Sequence, residues 1–188
     1  VTVVSKNGII LHTTNGGENW IEQQSNTTED LQDVCFTDIY FGTAVGDHGT
    51  ILVTTDEGNT WTQKPSGTSE DLHAVSFGKS RYGWIVISGS GNVLRTSDYG
   101  NSWTQQTIGT TELIDVCFTD SANGIVVGDA GTIQRTTDGG DTWAPQISGI
   151  TTDLSAVSFS DQYNGTVVGV EGVILRTING GVTFIEEK

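Results

Sequence analysis

Apolar and polar positions along this chain fall into short runs, not long amphipathic ones. Four runs share one alternation: Leu31-x-x-Val34-x-Phe36, Leu72-x-x-Val75-x-Phe77, Leu113-x-x-Val116-x-Phe118 and Leu154-x-x-Val157-x-Phe159. A turn rich in Asp, Asn and Gly follows each, as at residues 119–124, and then comes a Val-rich run such as 43–46, 85–87, 125–128 or 166–169. A Gly-bearing turn leads to a third run, for example 173–177, and a fourth run opens on an aromatic residue, as at 103–106. β-Branched runs broken by Gly and Asp or Asn predict antiparallel hairpins. No segment keeps a helical period over three turns.

Between the third and fourth runs lies Thr-x-(Asp/Asn)-x-Gly-x-(Thr/Ser/Asn)-(Trp/Phe), at residues 13–20, 54–61, 96–103, 136–143 and 177–184. Its aromatics, Trp20, Trp61, Trp103, Trp143 and Phe184, are spaced 41, 42, 40 and 41 residues apart, which makes the chain a repeat array. Four antiparallel strands per unit of this length predict an all-β fold, a β-propeller of five blades at 1–28, 29–69, 70–110, 111–151 and 152–188. Pro145 falls in a fourth run, and proline is confined to sheet edges, so the fourth strand is expected at the rim and the first at the axis. Five full units need 17 residues more than the 188 present, and the shortfall coincides with the first run of the opening unit. That blade is therefore expected to hold three strands, at 2–4, 9–13 and 20–23, and to lack its axial one. A strand from outside these residues, either a flank of the same chain or a segment of a neighbouring copy, would fill the gap by β-augmentation.

The recurring motif resembles the Asp-box of bacterial neuraminidase-type repeats. Its flanks at residues 128–143, Gly-Asp-x-Gly-x-Ile-x-Arg-Thr-Thr-Asp-Gly-Gly-x-Thr-Trp, resemble the propellers of the photosystem II stability/assembly factor family more closely still. The resemblance covers all five copies. It implies a propeller whose Asp-boxes serve the fold and an assembly role with an arginine patch. Arg95, Arg135 and Arg176 match the patch positions, and His12 and Val53 depart from them.

Net charge is −15, with 8 Lys plus Arg against 23 Asp plus Glu. That balance argues against nucleic acid and anionic membranes as partners, and no apolar run is long enough for membrane insertion. The chain holds no Met, so Val1 is not an initiator. Processing, acidity and scarce Lys together predict an exported protein, extracellular or periplasmic. Cys35 and Cys117 occupy one position in non-adjacent repeats, where Ser76 and Ser158 stand in the others. They are expected as free thiols, since a disulfide needs Cα atoms within about 7 Å.

Several side chains invite chemistry. The Asp-box residues Asn15, Asp56, Asp98, Asp138 and Asn179 resemble those of cation loops, but one carboxylate per turn is too few for calcium, and a turn-stabilising role fits better. Arg95, Arg135 and Arg176 stand at one repeat position and suit either an anion or partner patch, or pairing with an Asp of a neighbouring turn such as Asp47 or Asp129. Tyr40, Tyr82, Trp84 and Tyr163, beside Phe41, Arg81 and Tyr99, fall on or near turns and would suit a carbohydrate. His48 and His73 read as surface residues, and Asn26 and Asn164 sit in glycosylation patterns. Catalytic propellers carry distinctive residues on long unequal loops, whereas these repeats are regular. The reading is a non-catalytic exported protein-interaction and assembly module, without metal or cofactor, that binds a protein or a copy of itself. A lectin-like sugar binder and an inactive fragment of a glycosidase propeller are the alternatives.

Overall fold

The computed structural model describes residues 1–78 and 80–187; Lys79 and Lys188, the last residue of the 152–188 unit, lie outside the described residues. Five antiparallel sheets follow one another along the chain. The first comprises β1 (Thr2–Val4), β2 (Ile10–His12) and β3 (Ile21–Gln23). The second holds β4 (Leu31–Phe36), β5 (Gly42–Gly46), β6 (Thr50–Thr54) and β7 (Thr62–Lys64). The third is built from β8 (Leu72–Phe77), β9 (Gly83–Ile87), β10 (Asn92–Thr96) and β11 (Thr104–Thr107). The fourth runs through β12 (Leu113–Phe118), β13 (Gly124–Gly128), β14 (Thr132–Thr136) and β15 (Ala144–Pro145). The last consists of β16 (Leu154–Phe159), β17 (Gly165–Gly169), β18 (Ile174–Thr177) and β19 (Ile185–Glu186).

This is a β-propeller arrangement, and the first blade has three strands where the others have four. Pro145 sits on the outermost strand opposite Gln134, where its missing N–H leaves no gap in the ladder. The first strands β4, β8 and β12 touch their successors from blade to blade. Each shifts register one residue after its leading Leu, as between Leu31 and Asp33. A tight turn with two successive left-handed residues joins second and third strands, as at Ala130 (φ 53°) and Gly131 (φ 69°). That geometry matches the twist of the strands it joins.

Four apolar clusters hold the blades together, one at each junction. Alternate residues of the middle strands face opposite neighbours. Ala44 and Leu52 pack with Ile10 of the preceding blade, while Val45, Ile51 and Val53 pack with Leu72, Phe77 and Leu94 of the following one. Buried on both sides, these strands read as continuous apolar runs. Among the described residues no such cluster joins the fifth blade to the first.

The motif aromatics face the preceding blade. Trp61 is 4% exposed, and Trp103, Trp143 and Phe184 are half-buried. Phe36–Trp61, Phe77–Trp103 and Phe118–Trp143 meet edge to face within their own blades. Trp20, at the same motif position, is 41% exposed. Among the described residues it has neither a preceding blade nor an axial-strand Phe to stack on.

Candidate functional site

The Asp-box is a closed set of local hydrogen bonds. In the second blade the Thr54 hydroxyl donates to Asp56 Oδ1 (2.8 Å) and accepts from Gly58 N–H (2.9 Å). Asp56 then accepts from the N–H (2.9 Å) and hydroxyl (2.7 Å) of Thr60, and Trp61 Nε1 donates to the Gly58 carbonyl (3.0 Å). The same bonds from the Thr and to the Asp or Asn recur at Thr96/Asp98, Thr136/Asp138, Thr13/Asn15 and Thr177/Asn179. Every carboxylate oxygen of Asp56 is thereby used within the turn. Among the described residues no group of His, Cys, Asp and Glu has the makings of a metal site.

These bonds shape the acid response. The Thr142 hydroxyl, then its N–H, hold the Asp138 carboxyl down to about 2; the Thr60 N–H, then its hydroxyl, lower Asp56. Burial pushes Asp98 up, but bonds from Ser102 and Thr96 outweigh it and the net shift is downward. A carboxyl depressed in the folded state adds stability above its unfolded pKa and loses it as pH falls towards the folded value. Thermal midpoints are therefore expected to fall as pH drops from about 4 towards 2, less steeply in Asp56→Asn and Asp138→Asn variants. A midpoint flat over that window would contradict this.

The three arginines occupy one position, opposite Trp84, Ile125 and Thr166 of their own sheets. Two of them reach the Asp-box turn of the next blade. Arg95 Nη1 lies 2.5 Å from Asp141 Oδ1, with its guanidinium above Trp84, and Arg135 Nε donates to the Gly180 carbonyl at 2.7 Å. Arg176 is exposed, with no following blade to reach among the described residues. Arg95 and Arg135 thus staple neighbouring blades, and Arg176 alone of the three is exposed. The partners are Asp141 and a turn carbonyl, not Asp47 or Asp129.

The aromatic set does not assemble either. Trp84 is fully buried, stacked on Phe118 and lying under the next Asp-box turn, where a Cβ on Gly140 would come within 2.4 Å of its Nε1. It therefore cannot face a sugar. Tyr82 is half-buried with its hydroxyl accepting from Arg81, and Tyr99 stacks on Phe41. Tyr40 and Tyr163 remain exposed, on the second and fifth blades.

The axial rim is more informative. Asp33 Oδ1 accepts from Val34 N–H of its own strand, and Oδ2 from Val75 N–H of the next blade, both at 2.8 Å. Asp115 repeats this with Val116 and Val157 two blades on. In the blade between them Ala74 stands at the Asp position, and Ser76 Oγ accepts from Phe118 N–H at 2.9 Å. Axial strands thus alternate between an Asp/Cys type (Asp33/Cys35, Asp115/Cys117) and an Ala/Ser type (Ala74/Ser76, Ala156/Ser158). Burial raises Asp33 and Asp115 above the usual carboxylate range and pushes the Cys35 thiol up to about 11. Both cysteines are free. The Cys/Ser equivalence was visible in sequence, but the 82-residue alternation of Asp33 and Asp115 passes unnoticed when all repeats are aligned at 41.

At the first blade the rim stops. Val1 exchanges both hydrogen bonds with Thr13, N–H from Thr13 to Val1 O and the Val1 amino group to Thr13 O, each at 2.9 Å. Ser5 N–H donates to the Ile9 carbonyl. In an antiparallel ladder the residues between such pairs point the other way. The N–H and C=O groups of Thr2 and Val4 therefore face the axial side, where β1 has no strand partner among the described residues.

Comparisons with known proteins agree with this geometry. The model of the family Photosynthesis system II assembly factor YCF48 matches residues 20–111 and 103–188. A solved structure of YCF48 bound to D1 peptide superposes with a TM-score of 0.72 at 23% identity, covering 88% of this chain and 55% of that one. YCF48 from Cyanidioschyzon merolae gives a TM-score of 0.69 at 21% identity, covering 84% and 56%. An ancestral GH74 enzyme gives 0.76 at 16% identity, over 99% of this chain and 29% of that one. At these identities the likeness is one of fold, and the chain spans little more than half the length of the two YCF48 structures. No curated protein matches the sequence.

Proposed function

The chain belongs to the Photosynthesis system II assembly factor YCF48 family, and we propose from that premise that it is a non-catalytic, exported protein-interaction module that works by accepting a strand. The observation that carries this reading is the unpaired axial edge of β1, where Thr2 and Val4 present their backbone groups. Thr2 and Val4 are half-buried, and a pairing strand would satisfy their backbone groups while covering them. A related YCF48 has been solved with a peptide bound, which supports a peptide-like partner here. The donor is a partner protein, a neighbouring copy, or a flank of the same protein outside these residues. The absence of catalysis is supported by turns of nearly constant length, with polar groups committed to the Asp-box bonds. Acidity and scarce Lys support export.

The test is amide hydrogen exchange on the chain, alone and with a candidate partner. Thr2 and Val4 are expected to exchange freely alone and to become protected on binding. Protection in the isolated chain that rises with its own concentration would mark the neighbouring copy as donor. If a partner binds and those two amides stay unprotected, strand acceptance is wrong.

A further inference from the structure

The third blade departs from the acidity of the chain. Residues 70–110 carry Glu70, Asp71 and Asp98 against Lys79, Arg81 and Arg95, so this blade is neutral. Its neighbours are not: residues 29–69 hold seven acidic side chains against Lys64, and residues 111–151 hold six against Arg135. Part of the difference lies in the turn between first and second strands. In the second, fourth and fifth blades that turn carries Asp38, Asp120 or Asp161, which accepts the N–H groups two and three residues on. The third blade has Lys79 at the Asp position. Ser80 supplies an acceptor instead, its Oγ taking the Tyr82 N–H at 3.2 Å. Arg81 then stands where the other blades have Tyr40, Ala122 and Tyr163. A turn with one negative charge elsewhere has two positive ones here.

Arg81 is anchored, yet its charge is uncommitted. Its carbonyl accepts from Tyr99 N–H at 3.0 Å, which ties the turn to the Asp-box turn of the same blade. The Tyr99 ring stacks on Phe41 of the second blade, with centroids 4.8 Å apart. The Arg81 guanidinium lies over the Tyr82 ring, and Nη2 donates to the Tyr82 hydroxyl at 3.3 Å. Arg81 is exposed, and among the described residues it makes no ion pair, whereas Arg95 is bound to Asp141. A cation thus sits beside Phe41, Tyr82 and Tyr99, in a blade whose neighbours on both sides are present. Tyr and Arg are residues on which interface energy concentrates. Charge narrows what can bind. A polyanion would be repelled by the two flanking blades, whereas a single carboxylate beside apolar atoms meets one guanidinium and its aromatic surroundings.

We propose that this turn is a second contact surface, which takes an isolated Asp or Glu on a loop of a partner protein, the carboxylate on Arg81 and an adjoining apolar residue on Tyr99. It lies apart from the repeat-equivalent Arg95, Arg135 and Arg176 and does not depend on strand acceptance at β1. The test uses the whole chain, isotope-labelled, and three end-blocked peptides: Gly-Ser-Phe-Asp-Gly-Ser, the same with Asn for Asp, and Asp-Asp-Phe-Asp-Asp-Asp. NMR titration follows the Arg81 Nε–H and the Tyr82 and Tyr99 amides. The first peptide is expected to shift all three signals and to bind about twofold to fivefold more tightly than the Asn peptide, the range of one exposed ion pair. In Arg81→Gln, verified to unfold at the parent's thermal midpoint, that preference should vanish. The all-Asp peptide should bind no more tightly than the first. Equal affinity of the Asp and Asn peptides for the parent chain, or shifts that spare all three signals, would overturn the proposal. Tighter binding of the all-Asp peptide would overturn the preference for an isolated carboxylate. Shifts of Tyr82 and Tyr99 by chitobiose, with none from any peptide, would overturn it in favour of a carbohydrate.

Discussion

Replacing Trp61 with Ala is expected to cost about 3–5 kcal/mol of folding stability, whereas Trp20→Ala should cost less than about 1 kcal/mol. The two residues occupy the same motif position. Trp61 is buried against the preceding blade, meets Phe36 edge to face and donates its indole N–H to Gly58. Its removal leaves a cavity at a junction lined by Ile10, Leu31 and Leu52, which belong to two rigid sheets and can collapse only partly. Trp20 lies at the surface, so its loss opens no cavity. Urea unfolding of both variants beside the parent chain measures the difference. Comparable losses would mean that the motif aromatic acts within its own turn and not through the blade interface.

Asp33→Ala is the second substitution with a large expected effect. It strands the N–H groups of both Val34 and Val75, each at a cost on the order of 1–3 kcal/mol, partly offset because a carboxylate no longer has to be buried. Ser76→Ala strands only Phe118 N–H, so it should cost less. Acid provides an independent check. Burial raises the Asp33 carboxyl in the folded state, so its ionisation opposes folding: the stability present below its unfolded pKa is lost as pH rises through the folded one. Above that window Asp33→Asn should therefore narrow its deficit against the parent chain. An Asp33→Ala loss no larger than that of Ser76→Ala would show that the inter-blade hydrogen bonds do not hold the rim.

The repeat length, the order of strands within each blade, the edge position of Pro145 and the three-stranded opening blade were all legible in the sequence. Each follows from local rules that a period of about 41 residues repeats: alternation, turn chemistry, and the proline's missing donor. The Asp-box was legible for the same reason, since Thr54, Asp56, Gly58 and Thr60 bond to one another within seven residues of chain. Contacts between blades were not. Arg95 reads in sequence as part of a patch or as the partner of some neighbouring-turn Asp, and only the packing of the next blade singles out Asp141, 46 residues away. Trp84 reads as a turn aromatic, yet it sits on the face that meets the following blade, where Gly140 makes room for its ring. Asp33 gave no signal at all, because its partner Val75 lies one repeat further on and the alternation that marks it has twice the repeat's period. The sequence by itself determined the blade, whose bonds are local. The tertiary structure decided which faces of that blade are consumed and which side chains span two blades, because that depends on which blades lie beside it.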